Sequence, residues 1–149
     1  MVRKSVIKLL LLLLIVQSCS NKKKFYRENE VLTLIDTLGI NKEREFAFFL
    51  IRTSRCDLCT DVASEIFNSS KNESIALIDF NDISFQNERN NSPKKVIVKP
   101  NLFFEQRGVD FGDNYIFIIK NGKIFDFRII AKETKKEILE LIEKELIED

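Results

Sequence analysis

The stretch "FAFFLIRTSRCDLC", residues 46–59, decides how the rest of the chain is read. Its first six residues are unbroken apolar side chains, the pattern of a strand buried on both faces rather than half-exposed. The polar "RTSR" interrupts that run, and Cys56 and Cys59 follow at the start of "CDLCTDVASEIFNSS" (56–70). In that segment Leu58, Val62 and Ile66 fall on one helical stripe with Cys59, Ala63 and Phe67 beside it, which predicts an amphipathic helix beginning at the cysteines.

Working outward, "SIALIDF" (74–80) is a second buried strand. Strand, helix and strand in this order make a parallel βαβ unit. Upstream, "ENEVLTLIDTLG" places Val31, Leu34, Ile35 and Leu38 at helical spacing, with Gly39 as a C-terminal cap. Residues 81–97 are polar and Asn-rich and read as loop, and "NLFFEQRG" (101–108) reads as a short helix after Pro100. "NYIFIIKNGKIFDFRII" (114–130) holds two β-rich runs joined at Asn121-Gly122, a hairpin signal. "TKKEILELIEKELIED" (134–149) opens with Thr134 and Glu137 at capping-box spacing and presents Ile138, Leu141, Ile142 and Leu146 as its buried face. The expectation is an α/β fold, a central mixed sheet flanked by helices.

The amino terminus, "MVRKSVIKLLLLLLIVQSCSN", has a basic start at Arg3, Lys4 and Lys8, an apolar run over 9–16 and small Ser18 before Cys19, the layout of a secretory signal peptide. That run is too short to cross a hydrocarbon core, which needs about 20 residues. The ending "VQSC" resembles a bacterial lipobox, which implies cleavage after residue 18 and acylation of Cys19. Two or more acyl chains give stable membrane anchoring. The expected organisation is a signal peptide over 1–18, a tether over 19–27 and one domain over 28–149. Removing 18 of 149 residues leaves 131, enough for one domain with its own core. The removed segment carries three basic residues and no acidic one, so 21 Lys and Arg remain against 23 Asp and Glu. Near-neutral charge argues against nucleic-acid binding, and the short basic run "NKKK" (21–24) beside the lipid reads as a solvated tether.

Exported proteins meet an oxidising environment. With Cys19 acylated, Cys56 and Cys59 are left as a pair. The chain has no histidine, which excludes Ser-His and Cys-His catalysis and any His-ligated metal. Two thiolates without further ligands do not fill a tetrahedral shell, so neither a metal nor a cofactor is expected.

A strand, a tight loop, Cys-x-x-Cys at a helix start, a parallel strand, a hairpin and a closing helix resemble the thioredoxin fold over most of residues 45–147. The resemblance implies thiol–disulfide exchange, with Cys56 as the nucleophile and Cys59 as the resolving cysteine. A helix N-terminus favours the thiolate such a nucleophile needs. Arg55 would add to that effect and Asp57 would oppose it. Three positions depart from the family pattern: Arg55 stands where thioredoxins carry Trp, Leu50 where they often bury an acid, and Asn114 where they place a cis-proline. A non-proline cis bond costs about 2.5–4 kcal/mol, so a trans bond is expected before Asn114. The reading is a membrane-anchored monomer of the bacterial cell envelope, facing the periplasm from the outer membrane. It would exchange disulfides with thiols of exported proteins. The competing reading is a non-catalytic binding module whose Cys56–Cys59 disulfide is passive.

Overall fold

The computed structural model describes residues 24–53, 56–79, 94–109 and 111–146. Helix α1 (Glu28–Thr37) precedes strand β1 (Phe46–Ile51), helix α2 (Asp57–Ser69) and strand β2 (Ser74–Ile78). Strand β3 (Lys94–Val98) and the short helix α3 (Asn101–Gln106) come next. The hairpin of β4 (Tyr115–Lys120) and β5 (Lys123–Ile129) follows, then a 3-10 turn (Lys132–Thr134) and helix α4 (Lys135–Glu145).

The five strands form one sheet in the order β3-β2-β1-β4-β5. β1 pairs in parallel with β2, and β2 with β3, whereas β4 runs antiparallel to both β1 and β5. The sheet is therefore mixed and flanked by helices, the α/β architecture expected. β1 lies at its centre, and all six of its residues are buried. Because side chains alternate across a pleated strand, Ala47, Phe49 and Ile51 face one core while Phe46, Phe48 and Leu50 face another. The first core is closed by α2 and α4 through Val62, Ala63, Ile66, Phe67, Ile138, Leu141 and Ile142. Val31, Leu34 and Ile35 of α1 and Phe104 of α3 close the second.

Local signals explain the junctions. Asn121 and Gly122 both adopt positive φ, 49° and 71°, as a two-residue type I′ hairpin turn requires. At the end of α1, Gly39 has φ 67°, and the Ile40 amide returns to the Ile35 carbonyl at 3.2 Å, a Schellman-type closure.

Three expectations are corrected. Residues 94–97 lie within the expected loop, yet with Val98 they form the edge strand β3. An edge strand needs apolar side chains only where it meets the core, here Val96 and Ile97, and its lysines discourage pairing with other chains. The capping box at Thr134 does not form. The Thr134 hydroxyl instead donates to the Ile129 carbonyl at 2.8 Å and accepts from the Ala131 amide at 3.0 Å, while Glu137 pairs with Arg128. Packing also begins inside the expected tether. Phe25 is buried against Phe111, Tyr115, Phe117 and Phe127, with ring centroids 4.9–5.6 Å away.

Candidate functional site

The cysteine pair sits where β1 leaves the sheet. Ile51 is the last residue of β1 and pairs with Ile78, the last of β2. The next residues, Arg52 and Asp79, are consequently neighbours. β4 runs antiparallel, so its start lies at the same edge, and Tyr115 pairs with Leu50. Asn114, just before Tyr115, reaches this edge as well.

α2 begins with Cys56 as its N-cap, in extended conformation, and the Cys56 sulfur accepts the Cys59 amide at 3.1 Å. The Cys56 carbonyl accepts the Thr60 amide at 3.0 Å and the Thr60 hydroxyl at 3.1 Å. Cys56 and Cys59 are joined as a disulfide with Cα atoms 5.2 Å apart. Both cysteines are half-buried, whereas Asp57 and Leu58 between them face solvent, Leu58 with 57% of its surface exposed. The sulfur that caps the helix thus accepts an amide at the positive end of the helix dipole, a setting that favours a thiolate after reduction.

Just past the ends of β1 and β2 lies a buried polar cluster that the sequence reading missed. Arg52 Nε donates to Asp79 Oδ2 at 3.1 Å, and the two side chains are only 3% and 4% exposed. Asp79 Oδ1 accepts the Thr53 amide at 2.8 Å and the Thr53 hydroxyl at 2.7 Å. Burial alone would push the Asp79 carboxyl up, but the bonds from Thr53 and the Arg52 guanidinium outweigh it and hold it below the usual carboxylate range. The guanidinium also donates to Asn101 Oδ1 and lies over the Phe104 ring, 4.7 Å from its centroid. The available signal was a single charged residue ending each of two adjacent buried runs, "LIR" and "LID".

Asn114 is 3% exposed and follows a trans peptide bond, since no cis bond occurs among the described residues. Its Oδ1 accepts the Arg52 amide at 2.7 Å, and its own carbonyl accepts the Ile130 amide at 2.8 Å. Its Nδ2 is buried with no hydrogen-bond partner. Leu50 occupies the expected apolar position, 1% exposed. Asn114 therefore binds the residue that follows β1, four positions before Cys56, while Cys19 and Arg55 lie outside the described residues. Among the described residues no group of three or more Cys, Asp or Glu is arranged to hold a metal ion, and no helix is long and apolar enough to cross a membrane.

No protein-family model matches the chain, and no curated protein matches it. Among solved structures it is similar to reduced Prx3 from Vibrio vulnificus, with 14% identity and a TM-score of 0.40, over 76% of this chain and 86% of that one. The complex of Prx3 from Vibrio vulnificus with hydrogen peroxide gives the same identity and TM-score and is covered over 83% of its length.

Proposed function

We propose that this chain is a membrane-anchored thiol–disulfide oxidoreductase that acts on exported proteins through Cys56 and Cys59. The observation that carries the reading is the place of the Cys56 sulfur as N-cap of a 13-residue helix, accepting the Cys59 amide at 3.1 Å. In the reduced protein that amide and the helix dipole favour the thiolate of Cys56. The thiolate attacks one sulfur of a client disulfide, the client S–S bond breaks, and the departing client thiolate takes a proton. Cys59, deprotonated, then attacks the Cys56 sulfur of the mixed disulfide. The Cys56–Cys59 bond forms, the second client thiol is released, and two electrons have passed to the client. The reverse sequence oxidises a client dithiol. Anchoring through acylated Cys19 would confine the exchange to the cell envelope.

The passive-disulfide reading draws support from Asn114 and Leu50, which stand where a thioredoxin carries its cis-proline and buried acid. The reduction potential separates the two. A working pair falls between about −270 and −120 mV, and a static disulfide below about −300 mV. In cells, Cys59→Ala should accumulate mixed disulfides with exported proteins that a reductant releases, and Cys19→Ala should lose incorporation of a labelled fatty acid. A static potential with no trapped client would overturn the exchange reading. Equal fatty-acid label on wild type and Cys19→Ala would overturn the anchor.

A further inference from the structure

The strand ladder holds β1 only as far as Ile51. Beyond it, the first two amides of the segment leading to Cys56 are both taken by side chains from neighbouring strands. Asn114, at the start of β4, accepts the Arg52 amide, and Asp79, at the end of β2, accepts the Thr53 amide. Asp79 also binds the Thr53 hydroxyl and is held by Arg52, whose guanidinium is fixed in turn by Asn101 and the face of Phe104. Only three peptide steps separate Thr53 from Cys56, a reach of about 10 Å at full extension. A fixed Thr53 therefore limits where the Cys56 sulfur can go once the disulfide opens.

We infer that Asp79 and Asn114 are positioning residues that clamp the segment entering Cys56, so that the reduced sulfur stays on the helix N-terminus. This deepens the exchange reading and rests on it for its biological meaning, but the clamp itself is a property of the purified protein. In the oxidised form the disulfide already ties Cys56 to α2. The clamp matters in the reduced form, when only non-covalent contacts keep the sulfur beside the Cys59 amide. A loosened segment lets the thiolate leave that amide, which raises its pKa and destabilises the reduced state. Since stabilising the reduced form makes a pair more oxidising, loosening the segment shifts the pair toward more reducing potentials. In Asn114 the oxygen is the working atom, because Nδ2 has no partner.

The test compares Asn114→Leu, Asn114→Asp and Asp79→Ala with wild type in two measurements. One is the pH dependence of iodoacetamide alkylation of reduced Cys56, and the other is the redox equilibrium with glutathione. Folding is checked by circular dichroism and thermal unfolding. Asn114→Leu and Asp79→Ala, which remove the acceptor oxygens, should raise the pH at which Cys56 becomes reactive. They should also move the equilibrium by about tenfold toward the oxidised pair, about 30 mV. Asn114→Asp, which keeps an acceptor oxygen of the same reach, should stay closer to wild type than Asn114→Leu in both. Where Asp79→Ala does not fold, Thr53→Val carries the test, since it removes only the hydroxyl tie, and a smaller shift in the same direction is expected. Folded variants that melt earlier but keep the wild-type alkylation profile and potential would overturn the clamp. So would an Asn114→Asp profile displaced as far as that of Asn114→Leu. If the wild type traps no client while these shifts appear, the exchange reading falls and the clamp stands.

Discussion

Replacing Asp79 by Ala should cost far more stability than an ordinary change at a strand end. The carboxylate accepts bonds from the Thr53 amide, the Thr53 hydroxyl and Arg52 Nε, and pairs with a guanidinium that is 3% exposed. Breaking a buried ion pair by removing one partner costs about 3–5 kcal/mol, because the remaining charge stays buried. The Thr53 amide loses its acceptor as well, at about 1–3 kcal/mol. The two costs overlap, since relaxation that admits water serves both groups, so about 4 kcal/mol is expected in total. That is a large part of the roughly 5–15 kcal/mol that holds a domain together. Arg52→Leu should cost less, because Asp79 keeps both bonds from Thr53. The double variant should recover about 2 kcal/mol relative to the sum of the single ones, because an absent pair is far less harmful than half of one. The assay is urea unfolding of the oxidised protein followed by circular dichroism, since the chain has no tryptophan. The pH dependence gives an independent check. The Asp79 carboxyl titrates below its ordinary value in the fold, so its contribution is present above the unfolded pKa of about 3.9 and lost as pH falls through the lower folded value. The stabilities of wild type and Asp79→Ala should approach each other in that acid window. A loss under about 1 kcal/mol at pH 7 would refute the reasoning, as would additive single variants.

Three further outcomes are expected. Phe25→Ala should cost about 3–4 kcal/mol in the same urea assay and Phe25→Leu about half of that, because Phe25, ahead of the first turn of α1, packs edge-on against four rings. A Phe25→Ala variant as stable as wild type would return residues 24–27 to the tether. Gly122→Ala should destabilise by about 1–2 kcal/mol, since φ is 71° there and a Cβ would lie 2.9 Å from the Glu43 carboxylate. Thermal unfolding within error of wild type would count against the type I′ turn. In the reduced protein, brief alkylation and peptide mapping should find label on Cys56 before Cys59, because the Cys56 sulfur caps the helix. Preferential label on Cys59 would reverse the two roles.

Much of this molecule was readable from short-range pattern. The six apolar residues of β1, the helical stripe after Cys56, Gly39 closing α1 and the Asn121-Gly122 turn each depend on neighbours a few positions away, and each is found in the structure. Burial on both faces of β1 already implied a sheet covered on two sides, and the placement of Cys56 at a helix start followed from the same local pattern. What tertiary structure alone decided involves residues far apart in the chain. Arg52 and Asp79 are 27 positions apart, and Arg52 and Asn114 are 62 apart. They meet only because β2 and β4 flank β1 in one particular register. A charged residue at the end of a strand ordinarily reads as solvent-exposed, and only that register turns these into buried partners. The same holds for β3, whose lysines conceal an edge strand until β2 offers its free side, and for Phe25, whose pocket is assembled from β4, β5 and Phe111. Local sequence set which segments are helix and strand, because propensity and periodicity act within a few residues. Strand register set the surroundings of Arg52 and Thr53, because it brings distant polar groups to the edge where β1 ends.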